Sequence, residues 1–177
     1  MKRAIKWVIG IVIALGLAFV GGAYLLPESA VVQRQITIAA PPEKVFAIIG
    51  DLKRFHEFSP WAELDPAAVY VFEGADAAVG QKMSWTSKIP DVGNGAMTIT
   101  ERADNRRVAH DLNFGDMGTA KASFELSPSG SGTAVTWGFK TELRNPLERW
   151  FGLMFNRWIG ADYEKGLLKL KAVAEKP

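Results

Sequence analysis

The fold is decided by residues 145–175, NPLERWFGLMFNRWIGADYEKGLLKLKAVAE, the last long segment of the chain. Its large apolar side chains recur every three or four residues, which is the period of an α-helix. They are Leu147, Trp150, Phe151, Met154, Phe155 and Trp158. Runs of β-type sequence precede this segment, and many short strands followed by one long helix predict a curved sheet wrapped around that helix. Such a fold leaves an apolar space between the sheet and the helix.

The apolar side of this helix changes direction at Gly160. Beyond it the apolar positions lie on a side rotated by about 100° or more, at 3.6 residues per turn. They are Tyr163, Leu167, Leu170 and Ala174. One straight helix cannot bury both sides on the same surface, so we predict a bend or break close to Gly160. The later half is then gripped by the sheet, while the earlier half forms an aromatic flap over the pocket mouth or faces a membrane.

Seven runs with β-type patterning precede the helix, and short turns rich in Gly, Asn and Ser join most of them. The runs are 31–39, 69–73, 81–87, 96–102, 107–114, 119–126 and 133–143. Pro41-Pro42 starts a helix after the first run, since proline is tolerated in the first helical turn. A second, short helical turn is expected at 53–58. These elements predict an α+β fold with an antiparallel meander that has one solvated face.

Residues 5–26 are 22 consecutive positions whose only charged side chain is Lys6. A helix needs about 20 such residues to cross the hydrocarbon core of a bilayer. Lys2 and Arg3 precede the run and Glu28 follows it, so the positive-inside rule places the N-terminus in the cytoplasm. We therefore expect a single-pass anchor in the inner (cytoplasmic) membrane, with the rest of the chain periplasmic or extracellular.

A cleaved signal peptide is the alternative interpretation, because Gly21-Gly22-Ala23 offers a small-x-small site. The apolar run exceeds the roughly 7–15 residues of a signal h-region, which favours the anchor. Either interpretation exports the folded domain. Small residues also recur four apart along this run and could pair two helices in a weak homodimer. They are Gly10, Ala14, Ala18 and Gly22.

Composition excludes several classes of function. The net charge of +2 is small and scattered, so no nucleic-acid surface is expected. The chain has no cysteine, and its two histidines, His56 and His110, are far apart, so a transition-metal site is not expected either. No glycine-rich loop leads from a strand into a helix, as a phosphate site would need. We therefore predict no cofactor.

Residues 36–46 read ITIAAPPEKVF, and residues 162–171 read DYEKGLLKLK. Both segments resemble the START-like (SRPBCC) superfamily, often labelled polyketide cyclase/dehydrase and lipid transport. Ser59-Pro60-Trp61, followed by Asp65-Pro66, resembles a bacterial branch that carries an N-terminal membrane anchor. The resemblance covers roughly 32–175 and implies a helix-grip fold, in which similar scaffolds bind lipids, plant hormones or polyketides and a minority catalyse reactions.

The sequence is thus divided into a cytoplasmic tail at 1–4, an anchor at 5–26, a linker at 27–31 and a START-like helix-grip domain at 32–175. Strand phase and helix spacing place one set of side chains around the expected cavity, and we predict that they contact a ligand. The set comprises Trp85, Met97, Ile99, His110, Leu112, Ala122, Phe124, Trp137, Phe139, Trp158, Tyr163 and Gly166. Ala120 and Ala122 are small where a packed core would need bulk. Gly166 costs about 0.8–1 kcal/mol in mid-helix, which a close approach of a strand or ligand would explain.

His110 is the polar residue of most interest, because its phase on the strand points it inward. It could act as a general base, orient a polar group of a ligand, or be an ordinary structural histidine. Its neighbour Asp111 points to the opposite face, so the two cannot form a dyad. Glu101 shares the phase of Met97 and Ile99, so it reaches the pocket rim or, like most carboxylates at strand ends, is solvated.

Three functions compete. The first is a membrane-anchored extracytoplasmic module that binds a hydrophobic small molecule or lipid between sheet and helix. The second is a polyketide cyclase-like enzyme with His110 as acid or base, which needs a carboxylate or water partner for the histidine. The third is a ligand-free envelope interaction domain whose contact surface is the aromatic arc at 150–158. The sequence favours binding over catalysis.

Overall fold

The structure, a computed structural model, describes residues 2–176. Its helices and strands follow the predicted order along the chain. They are α1 (Lys2–Ala23), β1 (Ser29–Ile38), α2 (Pro42–Ile49), α3 (Trp61–Leu64), β2 (Val69–Glu73), β3 (Lys82–Thr86), β4 (Asn94–Ala103), β5 (Arg107–Asn113), β6 (Thr119–Ser129), β7 (Gly132–Glu142) and α4 (Pro146–Ala174). Two 3-10 turns, Leu52–Glu57 and Gly115–Met117, complete the described chain. The helical turn expected at 53–58 is the first of these.

The seven strands form one antiparallel sheet in the order β1-β7-β6-β5-β4-β3-β2. Strands β2 to β7 are neighbours in chain order, which confirms the predicted meander. β1 pairs with β7, where Val32 lies opposite Phe139, and so joins the start of the domain to its last strand. α4 packs on this sheet with Tyr163, Leu167 and Leu170 buried. The fold is therefore α+β of the helix-grip type.

The start of α4 is fixed by hydrogen bonds local in sequence. The side chain of Asn145 accepts a hydrogen bond from the Glu148 backbone N–H at 2.9 Å. The Glu148 carboxylate in turn accepts one from the Arg144 backbone N–H at 2.5 Å. Pro146 is the first helical residue, where its missing N–H costs nothing. This exchange of side-chain and backbone hydrogen bonds is of the capping-box kind and begins the helix right after β7.

Of the predicted bend or break close to Gly160, the break is wrong, because α4 is one uninterrupted helix from Pro146 to Ala174, while a bend stays a prediction. Gly160 has a different role: a Cβ at this position would collide with the guanidinium of Arg34 on β1. Arg34 Nη2 donates to the Asn156 carbonyl at 2.9 Å, and its Nε donates to Glu164 at 2.5 Å. The glycine therefore makes room for an arginine that ties α4 to the edge strand.

The two apolar sides of α4 do not have to face one surface, which is why no break is needed: the later side is buried by the sheet, whereas most of the earlier side is exposed. After Gly160 the apolar side chains pack on the sheet. Before it, Trp150 packs against Phe19 of α1, with ring centroids 5.6 Å apart. Phe155 and Ile159, two turns and one turn before Tyr163 on the side of α4 that faces the sheet, pack against the cluster of buried apolar residues.

Trp137 of β7 joins the sheet to α4. Its ring stacks on Tyr163 of α4 with centroids 3.9 Å apart and an interplanar angle of 14°. Its other stacking partner is Phe124 of β6, at 4.7 Å and 28°. A Cβ added to Gly166 would lie 2.6 Å from the Trp137 ring. The expected close approach at Gly166 is thus to an indole from the sheet.

α1 is, among residues 2–176, the one helix long and apolar enough to cross a membrane, over Ile5–Ala23. An uncleaved anchor and a signal sequence share this length and composition. Its apolar side chains are mostly exposed, and only its C-terminal end lies against α4. Gly22, the last member of the small-residue row, lies against the ring of Trp150 in the same chain.

Gly166→Ala tests the packing of Trp137. Alanine would favour the helix by about 1 kcal/mol, but its methyl group must displace the indole, and overpacking costs roughly 1–3 kcal/mol. We expect the free energy of unfolding to fall by about 1 kcal/mol, measured by urea unfolding in detergent micelles. In a Trp137→Phe background the contacting ring atoms are absent and the contact with Pro60 Cδ at 3.3 Å remains, so the same substitution should be less destabilising. An equal effect in both backgrounds would contradict this account.

Candidate functional site

A cavity of about 510 Å³ lies between the concave face of the sheet and α4. Its floor is formed by inward side chains of β3 to β7, and its roof by the segment 155–163 of α4. Phe55 and Trp61, from the first 3-10 turn and α3, close one end. Some lining residues are exposed and define the mouth. They are Pro90, Asp91, Met117, Thr119 and Trp158.

The cavity exists because β6 carries small side chains where its neighbours carry large ones. Ala122 pairs with His110 on β5 and with Phe139 on β7. Ala120 pairs with Leu112 in the same way. One step along the strand the space is filled instead, since Phe124 lies opposite Trp137. The two alanines thus leave part of the interior unfilled, as their small side chains in the sequence led us to expect.

Ten of the twelve residues predicted to contact a ligand line this cavity. They are Trp85, Met97, His110, Leu112, Ala122, Phe124, Trp137, Phe139, Trp158 and Tyr163. Ile99 is 1% exposed and belongs to the packed core, outside the lining. Gly166 also lies outside it, behind the Trp137 ring. The arrangement confirms the inward phase of the strands, while ligand contact by these residues stays a prediction.

Sequence reasoning missed several lining residues because they come from loops or from other elements. They include Phe55, Trp61, Tyr70, Met117, Phe155, Ile159 and the loop 90–93. Tyr70 could have been found from register, since it pairs with inward-facing Trp85. Phe155 and Ile159 could have been found from the helical period. The loop 90–93 carries no signal of this kind; it is placed partly by the Trp85 indole N–H, which donates to the Val92 carbonyl at 3.3 Å.

His110 is buried in the lining with neither ring nitrogen hydrogen-bonded to any residue within 2–176. Its ring meets Phe124 edge-on, with centroids 6.2 Å apart. Burial in these apolar surroundings disfavours the charged imidazolium and lowers the pKa of His110 to about 4. At neutral pH the imidazole is therefore uncharged, with one nitrogen able to donate and the other to accept a hydrogen bond. The indole N–H of Trp137 likewise has no partner in the described chain.

No carboxylate of the described residues hydrogen-bonds His110. Asp111 faces outward, 3.8 Å from Lys121. Glu101 is also on the outer side, where it pairs with Arg107 at 3.0 Å. A register shift between Ile99 and Glu101 interrupts the alternation of β4, so Glu101 does not share the inward phase of Ile99. The solvated alternative predicted for Glu101 is the correct one.

An enclosed apolar space between a curved antiparallel sheet and one long helix defines a helix-grip protein. Residues 29–175 match the sequence profile of the family described as "Polyketide cyclase / dehydrase and lipid transport". The chain therefore belongs to that family, and the resemblance stated from the sequence is confirmed at this level. No curated protein matches the chain significantly.

Solved structures of low identity share the fold. The di-domain ARO/CYC StfQ from the steffimycin biosynthetic pathway has a TM-score of 0.62 at 12% identity, covering 83% of this chain and 51% of StfQ. Ara h 8.0201 has 0.58 at 12%, covering 82% and 97%. An uncharacterised protein from Rhizobium leguminosarum has 0.60 at 15%, covering 85% and 97%. These similarities establish the fold alone.

The depressed pKa of His110 predicts a specific dependence of stability on pH. The unfolded chain binds a proton near pH 6.5 and the folded chain only near pH 4, so the stability that neutral His110 contributes is complete above pH 6.5 and falls as pH drops toward 4. The loss amounts to on the order of 3 kcal/mol. Urea unfolding measured between pH 4 and 7 should show this loss of stability. In a His110→Gln variant, the part of the loss that is due to His110 should be absent.

An NMR titration gives an independent measurement, because the chain has only two histidines and His110→Gln assigns their signals. The His110 ring signals should shift only near pH 4. A titration of His110 near pH 6.5 would contradict the burial described above.

Proposed function

We propose that this protein binds a hydrophobic small molecule or lipid in the cavity between sheet and helix. The supporting observation is the cavity itself: about 510 Å³ lined chiefly by aromatic and aliphatic side chains. Pockets for small ligands usually have volumes of about 300–1,000 Å³ and a mainly apolar lining with few polar groups. The family to which the chain belongs suggests a ligand of the same kind.

Affinity in such a site comes chiefly from apolar surface removed from water, at roughly 25 cal/mol per Å². His110 and the indole N–H of Trp137 supply polar contacts that can orient the ligand. Both lie against the Phe124 ring, so one polar group of the ligand could meet either of them. Because His110 is neutral at pH 7, a carbonyl or hydroxyl group suits this position better than a group that needs a cationic partner.

The proposal includes the division of the chain made from the sequence. Residues 5–26 anchor the protein in the inner membrane with residues 1–4 in the cytoplasm, and the domain at 32–175 lies on the periplasmic or extracellular side. α1 supports this by its length and its exposed apolar side chains. The helix of an ordinary soluble domain would bury one apolar face in that domain, whereas an anchor and a signal sequence would not.

Native mass spectrometry tests the binding proposal. The full-length chain is purified gently from its own cells and released from detergent micelles in the spectrometer. We expect a bound species of several hundred daltons that is lost on collisional activation. A folded chain that carries no added mass and takes up no lipid extract would overturn the proposal.

Ala122→Trp tests whether the cavity is the binding site. The indole would occupy the space between His110 and Phe139, so we expect at least a tenfold loss of the bound species. Stability should change by less than the roughly 1–3 kcal/mol that overpacking a filled core costs. Lys121→Trp is the matched control, because the neighbouring side chain on the same strand points outward and is exposed. Unchanged binding in Ala122→Trp would place the ligand elsewhere.

A further inference from the structure

The first half of α4 exposes four large apolar side chains on one face, here called the apolar stripe. Its members are Leu147, Phe151, Met154 and Trp158, with 57%, 49%, 37% and 48% of their surface exposed. At 100° per residue these positions fall within about 60° of one another around the helix. Apolar side chains scattered singly on a surface are normal, but a continuous row of this size marks a contact surface.

One flank of the stripe lies against α1. Trp150 stacks on Phe19, and its indole N–H donates to the Phe19 carbonyl at 3.1 Å. Arg149, beside it, pairs with Glu28 at 3.0 Å and lies over the ring of Tyr24 at 5.3 Å. The stripe is therefore held next to the C-terminal end of the apolar helix.

The other flank of the stripe is the roof of the cavity. Phe155 and Ile159 point into the lining, and Trp158 belongs both to the stripe and to the mouth. Met117, on the second 3-10 turn, lies at the same mouth and is 76% exposed. An apolar surface thus leads from α1, along the stripe, to Trp158 at the cavity mouth, whose exposed rim also includes Asp91 and Thr119.

The position of Trp150 relative to the end of α1 and the distribution of charged residues along α4 both indicate that a lipid surface covers the stripe. α1 ends at Ala23, so Phe19 lies four residues, or about 6 Å of helix, before the C-terminal end of that helix. Trp150, bound to Phe19, therefore sits within the outer boundary of the bilayer, where tryptophan is favoured. The stripe carries no charge, whereas the next turns of the same helix face carry Asp162, Lys165 and Lys169. Polar groups resume where α4 would leave the membrane interface.

We propose that the apolar stripe lies in the outer interface of the bilayer that holds α1, and that the cavity mouth opens onto this lipid surface. This inference rests on the proposed anchor and the proposed binding site, and it adds where the ligand enters. The source it assigns is the lipid phase, since the apolar stripe joins α1 to Trp158 and Met117 at the mouth. A second copy of the chain covering the stripe is the competing occupant.

Fluorescence quenching by nitroxide-labelled lipids tests the inference on the full-length chain in vesicles. The absence of cysteine allows one labelling site at a time for an environment-sensitive fluorophore. Met154→Cys reports on the stripe and Met117→Cys on the mouth. Leu168→Cys is the matched control, because Leu168 is an apolar residue of α4, 61% exposed, outside the stripe. Val12→Cys reports on α1 independently.

We expect strong quenching at position 12, at least twofold more quenching at 154 and 117 than at 168, and no dependence on the protein-to-lipid ratio. Quenching at 12 with none at 154 would overturn the inference while the anchor stands. Emission at 154 that is shielded from lipid and depends on protein density would overturn it in favour of a second copy. Absence of quenching at 12 would overturn the anchor and this inference together. Quenching at 154 but not at 117 would overturn the assignment of the mouth.

Discussion

The indole of Trp137 fixes the distance between sheet and helix, and the other features of the domain depend on that distance. It is 2% exposed and stacks on Tyr163 from α4 and on Phe124 from the neighbouring strand. Gly166 allows the ring to approach the helix backbone. The rings keep α4 off the floor of the sheet, and where β6 carries alanines instead of Phe124 the same separation leaves a cavity. The stack of Trp137 with Tyr163 and Phe124 thus stabilises the core. It also keeps α4 and the sheet far enough apart that core side chains do not fill the cavity.

The spacing of apolar residues in the sequence was sufficient to predict those features that depend only on neighbouring residues of the same strand or helix. Alternation placed eight strand residues of the lining on the inward face, because a strand side chain has only two faces to choose from, and helical spacing placed Trp158 and Tyr163. The break at Gly160 was wrong, because the glycine serves Arg34, a residue more than a hundred positions away in sequence. Glu101 could not be assigned to one face, since a register shift in β4 is invisible in the alternation itself. The loop 90–93 and Phe55 were missed because tertiary packing alone brings them to the cavity.

The chemistry of the cavity follows from how little polar surface it contains. His110 sits where charge is costly, and no carboxylate of the described chain hydrogen-bonds it, so both ring nitrogens are available to a bound molecule. A ligand that hydrogen-bonds to neither ring nitrogen of His110 would displace the water that can hydrogen-bond to them in an unliganded cavity. Those hydrogen bonds would then be lost without replacement. Under the proposed function, a polar group that meets His110 would be what distinguishes one apolar ligand from another.

The junction between α1 and the domain restricts how far this protein can reach. Only residues 24–28 separate α1 from β1, a length of roughly 17 Å when fully extended, and the Arg149, Trp150 and Glu28 contacts hold the junction closed. With α1 in a bilayer, the domain cannot diffuse across an aqueous compartment with its bound ligand, as a soluble carrier protein does. A molecule that accepts the ligand would then have to reach the membrane surface itself. The domain would hold the ligand at a fixed place, and the rate of transfer would depend on how often the accepting partner arrives.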